Sequence, residues 1–162
     1  MNRRDRRRAG AQRRRSMKQF YDDIYNDIRR DGRSVLCIGG EEDSLPSAYT
    51  IGNALKGLPE LLMIGGIAGA YLLNVLSEQI IEHNGGFDDG ELISLGGKFP
   101  VKIINATDTR ARSEYTIQAG QAIGHENYAV QQVLIADKSG RYPDDPECAA
   151  PYSSVPVLHA RH

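Results

Sequence analysis

Two short runs carry the strongest apolar pattern in the chain: Ala48-Tyr49-Thr50-Ile51 and Leu61-Leu62-Met63-Ile64, separated by a Gly57-Leu58-Pro59 corner. The first is β-branched and aromatic, which suits a pleated surface, and Gly52 closes it. Alternation puts Tyr49 and Ile51 on one face and Ala48 and Thr50 on the other. The second run is apolar without alternation, the pattern of a strand covered on both faces. Pro59 cannot donate to a ladder, so the spacing predicts strands over residues 48–51 and 60–64 with the proline just before the second. Gly65-Gly66 then allows a tight turn into a helix.

The other elements follow in order. Met17, Phe20, Tyr21, Ile24 and Ile28 fall at helical spacing, which predicts a helix over residues 16–30 stopped by Gly32. Residues 34–39 read as a strand, with Cys37 expected as a small core residue. Residues 67–84 form the clearest amphipathic helix, with Ala70, Leu73, Leu76 and Ile80 on one face, Leu72 and Ile81 widening it, and His83 in its last turn. A hairpin is expected over residues 92–95 and 101–104 around Gly96-Gly97. A third helix is expected over residues 109–125, weakened by Gly120 and Gly124. Residues 128–136 read as a late core strand. Residues 155–158 read as an edge strand, the one place Pro156 fits. The sum is a single α+β domain over residues 16–162: a mixed or mostly antiparallel sheet of five to six strands, two to three packed helices, and residues 16–31 docking on the core.

Composition agrees with one domain. The chain has 162 residues, 40% of them apolar, enough to bury a sizeable core. No run approaches the ~18 apolar residues of a membrane span, and no secretory apolar segment follows the basic start. Cys37 and Cys148 have no metal spacing; free thiols and a cytoplasmic location are the expectation, with a Cys37–Cys148 disulfide as the alternative. The net charge of −1 conceals an asymmetry. Residues 1–15 hold eight arginines and one aspartate, or +7, so the rest of the chain carries −8. This tail has no apolar face. In isolation it is expected to be disordered, or a fraying extension of the next helix. Arg3, Arg4, Arg6, Arg7, Arg8, Arg13, Arg14 and Arg15 are candidates for a nucleic-acid arm, because clustered arginines neutralise phosphates. No aromatic residue interleaves with them to stack on bases. An acidic protein partner, or a native start at Met17, are the other readings.

Catalytic motifs are sparse. There is no nucleophile elbow and no HExxH, and the four histidines lack ligand spacing. The Gly65, Gly66, Gly69 spacing is not a dinucleotide fingerprint; tight packing of helix on sheet is the reading preferred for it. The acidic run Glu41, Glu42, Asp43 lacks the alternation of a calcium loop and reads as solvated. No cofactor or metal is expected. A ligand site, if present, draws on Tyr49, Thr50, Gln131, Gln132 and Tyr142, because strand ends and the turns after them collect ligands in open sheets. His125, Asp137 and Arg141 are the catalytic candidates, with His125 as general base. Each has a plain alternative: Tyr49 in the core, Arg141 paired with Asp144 or Asp145, His125 as a solvated cap. Gln131 and Gln132 point to opposite faces, so at least one amide turns inward and needs partners; Asp137 and Tyr49 are the expected ones.

The strings AYTIG and LPELLMIGG, the GGKFPVKII hairpin and the late QQVLIADKSGRYPDDP, ending in VPVL, together resemble the DUF4262 family over roughly residues 35–158. Gln132, Asp137, Gly140, Arg141, Tyr142 and Pro143 match its late motif; the doubled Gln131-Gln132 departs from it. The resemblance implies no activity and no catalytic residues. The expectation is a binding or interaction domain without catalysis, for an unknown small molecule or protein and not for a membrane. The alternatives are a hydrolase- or transferase-type enzyme on a small polar substrate, and nucleic-acid binding through the tail.

Overall fold

The computed structural model describes residues 3–40, 44–66 and 69–159. Among them, six strands form one mixed sheet in the order β1-β2-β3-β6-β5-β4, with four α-helices packed on it. The strands are β1 Ser34–Ile38, β2 Ser47–Ile51, β3 Glu60–Ile64, β4 Leu92–Ile93, β5 Val101–Asn105 and β6 Val130–Leu134. The helices are α1 Arg3–Asp31, α2 Gly69–His83, α3 Thr109–Tyr115 and α4 Ile117–Ile123. The fold is α+β. None of the described helices is long and apolar enough to cross a membrane.

The two apolar runs lie side by side as read: β2 pairs antiparallel with β3, Tyr49 opposite Leu62. The one parallel pair is β3 with β6, Glu60 opposite Val130 and Leu62 opposite Gln132; β5 then adds antiparallel to β6. Alternation sorts the side chains into two layers. Tyr49, Ile51, Leu62 and Ile64 join Ile24 of α1 and Ala119 of α4 on one face. Ala48, Leu61 and Met63 join Leu73, Leu76 and Ile80 of α2 on the other. Every residue of β3 is buried, which explains its unbroken apolar run. Gly69 lets α2 sit close: a Cβ there would stand 3.0 Å from Ala48 Cβ and 3.1 Å from Met63 Cε. The glycine spacing therefore serves packing and, with Gly66 at φ +125°, a turn that other residues resist.

The structure differs from the sequence reading in several places, each for a local reason. For the arginine stretch the sequence offered two readings, and the structure has the second: helix α1 begins at Arg3 as an extension of the docked helix, since arginine and alanine are good helix formers and no proline intervenes. The side chains of Arg3, Arg7, Arg8, Arg13, Arg14 and Arg15 lie outside the described residues, as do residues 41–43 and 67–68. The third helix is two, broken at Thr116, whose hydroxyl donates to Arg112 O 2.9 Å away and so competes with the helical ladder. Cys37 is exposed, not in the core, because β1 is an edge strand; both thiols are free. The hairpin strand over residues 92–95 shrinks to two residues.

Residues 155–158 are not a strand. One side chain pairs with them on both sides: Gln132 Nε2 donates to Pro156 O at 2.6 Å, and Leu158 N donates to Gln132 Oε1 at 2.9 Å. The amide presents one donor and one acceptor, as a strand neighbour would. Gln131, on the opposite face, does the same for the segment after α2. Its Nε2 donates to Phe87 O at 2.7 Å and to Asn105 Oδ1 at 2.9 Å, and Phe87 N donates to its Oε1 at 3.1 Å. Neither amide meets Asp137 or Tyr49. Gln132→Leu, of similar volume, leaves Pro156 O and Leu158 N without these partners. The expected cost is about 1–3 kcal/mol, measured by urea unfolding, with proteolysis after residue 150 rising more than elsewhere.

Candidate functional site

Parallel pairing of β3 and β6 brings two carboxyl ends together in mid-sheet, the place where an open sheet leaves a crevice. A cleft of about 450 Å³ lies there. Its sheet side is Met63, Ile64, Gly65 and Gly66 leaving β3 and Ile135 leaving β6. Leu45 and Pro46, entering β2, and Leu72 of α2 close two sides. Pro143, Pro151, Tyr152 and Val155 from the C-terminal segment form the last wall. Gly65 N donates to Pro46 O at 2.7 Å and fixes that rim. The lining is apolar apart from the Tyr152 hydroxyl and main chain.

Asp137, one of the catalytic candidates, frames the C-terminal wall. It is 3% exposed. Its Oδ1 accepts from Ser139 N at 2.8 Å and Arg141 N at 2.9 Å, and its Oδ2 from Ala149 N at 2.9 Å. These main-chain donors, Ala149 first, hold its carboxyl below the usual carboxylate range. Arg141 pairs with Glu147 at 3.3 Å rather than with Asp144 or Asp145; Lys102 takes Asp144. Tyr142 donates to Pro100 O at 2.7 Å, with Lys102 over its ring. These three residues brace the turn after β6, and Pro143, next in sequence, reaches the cleft.

The remaining candidates are held elsewhere. Tyr49 is fully buried on the α4 face, where its hydroxyl donates to Gln118 Oε1; burial pushes that hydroxyl well up. His125 is exposed after α4 and accepts from Asn127 N through Nδ1 at 3.1 Å. The five residues of β6 separate His125 from Asp137, about 16 Å of strand at ~3.3 Å per residue. The structure does not bring these two together.

One chemically loaded group has no counterpart in the sequence reading. Glu60 opens β3 and is 0% exposed. Its Oε1 accepts from the Thr50 hydroxyl and Asn53 N, each at 2.9 Å. Its Oε2 accepts from Gly52 N at 2.9 Å and Ala54 N at 3.3 Å. Thr50 is thus a supporting residue: its oxygen also accepts from Leu61 N at 2.9 Å. Beyond it the buried network continues from Asn53 Nδ2 to the Ser77 hydroxyl of α2 at 3.1 Å. The amino end of the 3-10 turn Asn53–Lys56 is therefore capped by a carboxyl from the neighbouring strand. The signal was a single acidic residue opening a run otherwise buried on both faces.

Burial pushes the Glu60 carboxyl up, and the four donors oppose this without cancelling it. A raised carboxyl contributes stability that is full below its unfolded value and lost as pH rises through the folded one. Glu60→Gln turns an NH₂ toward main-chain N–H donors, at an expected cost of about 1–3 kcal/mol. That deficit is largest in acid and narrows as pH rises through the raised value. Urea unfolding of both proteins across the acid-to-neutral range measures it, and a deficit that grows with pH would contradict the assignment.

A family model described as Domain of unknown function (DUF4262) matches residues 27–149. No curated protein and no solved structure matches the chain. The matched stretch takes in the end of α1, all six strands and the Asp137 turn, and leaves out the segment clipped by Gln132. The chain belongs to the DUF4262 family.

Proposed function

We propose that the chain is a binding module for a small ligand with an apolar body, held in the cleft at the carboxyl ends of β3 and β6. The observation that carries this is the cleft itself: about 450 Å³, apolar in lining and walled by five separate parts of the chain. That volume falls in the ~300–1,000 Å³ range of small-molecule sites. Free Cys37 and Cys148 support a cytoplasmic setting. A hydrolase- or transferase-type reading needs another set of groups than His125, Asp137 and Arg141, since the first two lie at opposite ends of β6.

The test uses a fluorescent apolar probe, anilinonaphthalene sulfonate, titrated against the folded protein. Leu72→Asp places a charge in the lining, and Val155→Trp fills the space. Each is expected to weaken probe binding at least about tenfold, or ~1.4 kcal/mol, while Leu55→Asp, on an exposed turn away from the cleft, leaves it unchanged. Equal binding by all four proteins would end the proposal.

A second reading rests on the arginine stretch. Helix α1 runs unbroken from Arg3 into the docked segment, and Arg4 and Arg6 are exposed. Eight arginines on one helix suit a phosphate backbone. Removal of residues 1–15 is expected to abolish salt-dependent binding to duplex DNA or RNA, with the log–log salt slope of the full chain near −0.9 per phosphate contacted. A truncated protein that binds equally well contradicts it.

A further inference from the structure

The cleft at the carboxyl ends of β3 and β6 offers a ligand almost no electrostatic handle. Among the described residues that line it, none carries a charge, and Tyr152 is the one polar side chain. The charged groups that brace the C-terminal wall are engaged with other partners. Asp137 accepts from three main-chain N–H groups, Arg141 pairs with Glu147 and Lys102 with Asp144. Main-chain donors are engaged as well. Pro46, Pro143 and Pro151 have no N–H, and Gly65 N donates to Pro46 O. In the wall itself, Ser153 N, Ser154 N and Val155 N donate to Ala149 O, Pro151 O and Tyr152 O, each at 3.1 Å.

Tyr152 stands apart from the tyrosines that serve the fold. Tyr49, Tyr128 and Tyr142 have their hydroxyls bonded to Gln118, Thr116 and Pro100 O. Tyr152 is half-buried, and its hydroxyl has no hydrogen-bond partner among the described residues. The 3-10 turn Tyr152–Ser154 fixes the main chain that carries its ring. A phenol can donate or accept, and donation is the stronger of the two. The cleft therefore presents one directional group in an otherwise apolar wall.

We infer that the ligand is an uncharged molecule with an apolar body and one carbonyl-type acceptor, which takes a hydrogen bond from the Tyr152 hydroxyl. This deepens the proposed function and rests on the cleft being the binding site. A carboxylate, phosphate or ammonium group entering the cleft would give up its water with no counter-charge to replace it, a heavy cost. Such a group stays at the mouth or the molecule is rejected. Ketones, esters and amides on a ring or aliphatic frame meet both conditions. Tyr152 is then the specificity-determining residue, because a site that offers a hydrogen bond discriminates against an analogue unable to take it.

Three dyes test this. Anilinonaphthalene sulfonate and phenylnaphthylamine share one apolar frame and differ by the sulfonate; the aryl amine is a poor acceptor. Prodan is an uncharged naphthyl ketone whose emission moves to the red when its carbonyl accepts a hydrogen bond. Phenylnaphthylamine is expected to bind at least about tenfold more tightly than the sulfonate. Tyr152→Phe is expected to weaken prodan about three- to tenfold, the range of one hydrogen bond. It shifts bound prodan emission to the blue and leaves phenylnaphthylamine unchanged. A sulfonate that binds as tightly as the neutral dye overturns the inference while the cleft stands. So does a Tyr152→Phe protein that binds prodan as before, or that weakens both neutral dyes alike. If none of the dyes binds, or Val155→Trp weakens none of them, the cleft itself is not the site and the inference falls with it.

Discussion

The parallel contact between β3 and β6 is the constraint on which the architecture rests. These strands lie far apart in sequence, and everything between them, including α2, the β4–β5 hairpin and α3–α4, is one long crossover that must return to the same sheet. Both strands are buried along their full length, so slippage by one residue would turn each side chain to the wrong layer. The contact also sets the carboxyl ends together in mid-sheet, and the cleft follows from that geometry rather than from any special residue.

A doubly covered strand pair normally excludes polar side chains, yet Thr50, Glu60, Gln131 and Gln132 are all buried here. For Glu60, Gln131 and Gln132 main-chain groups supply most of the partners, while Thr50 bonds mainly to the Glu60 and Asn53 side chains. Glu60 accepts from the residues opening a 3-10 turn, and each glutamine holds an irregular segment on its own face. Such segments have no ladder of their own, and an unpaired main-chain group out of reach of water is costly. The polar core residues are thus the means by which loops close over the sheet. Replacing Glu60, Gln131 or Gln132 by an apolar residue removes a loop's partner as well as its own.

Much of this was legible in the sequence. Alternation assigned Tyr49 and Ile51 to one layer and Ala48 to the other, and the unbroken 60–64 run announced a strand covered on both faces. The glycine spacing before α2 was rightly weighed as packing. What escaped depended on contacts distant in sequence. Residues 155–158 have strand-like composition, but their partner is a side chain, which periodicity does not reveal. Cys37 has core character, but only the strand order makes β1 an edge. The polar candidates Tyr49, Thr50, Gln131 and Gln132 were singled out for their chemistry, and that chemistry is spent on internal hydrogen bonds. The cleft was hidden for the opposite reason: its lining residues are ordinary apolar ones, drawn from five stretches that only the fold assembles.

The attachment through Gln132 has a further consequence for motion. A segment laced into a sheet by successive ladder bonds opens only with its neighbours, whereas one clipped at a single amide, with one more bond from Asp108 N to Leu158 O and the Leu158 side chain in the core, can detach while the sheet stays intact. Such sub-global openings cost less than complete unfolding. Amide hydrogens around residue 158 should therefore exchange with solvent well ahead of those of β3 and β6. Because Tyr152 and Val155 lie just upstream of that clip, each such excursion strips one wall from the cleft and exposes its floor.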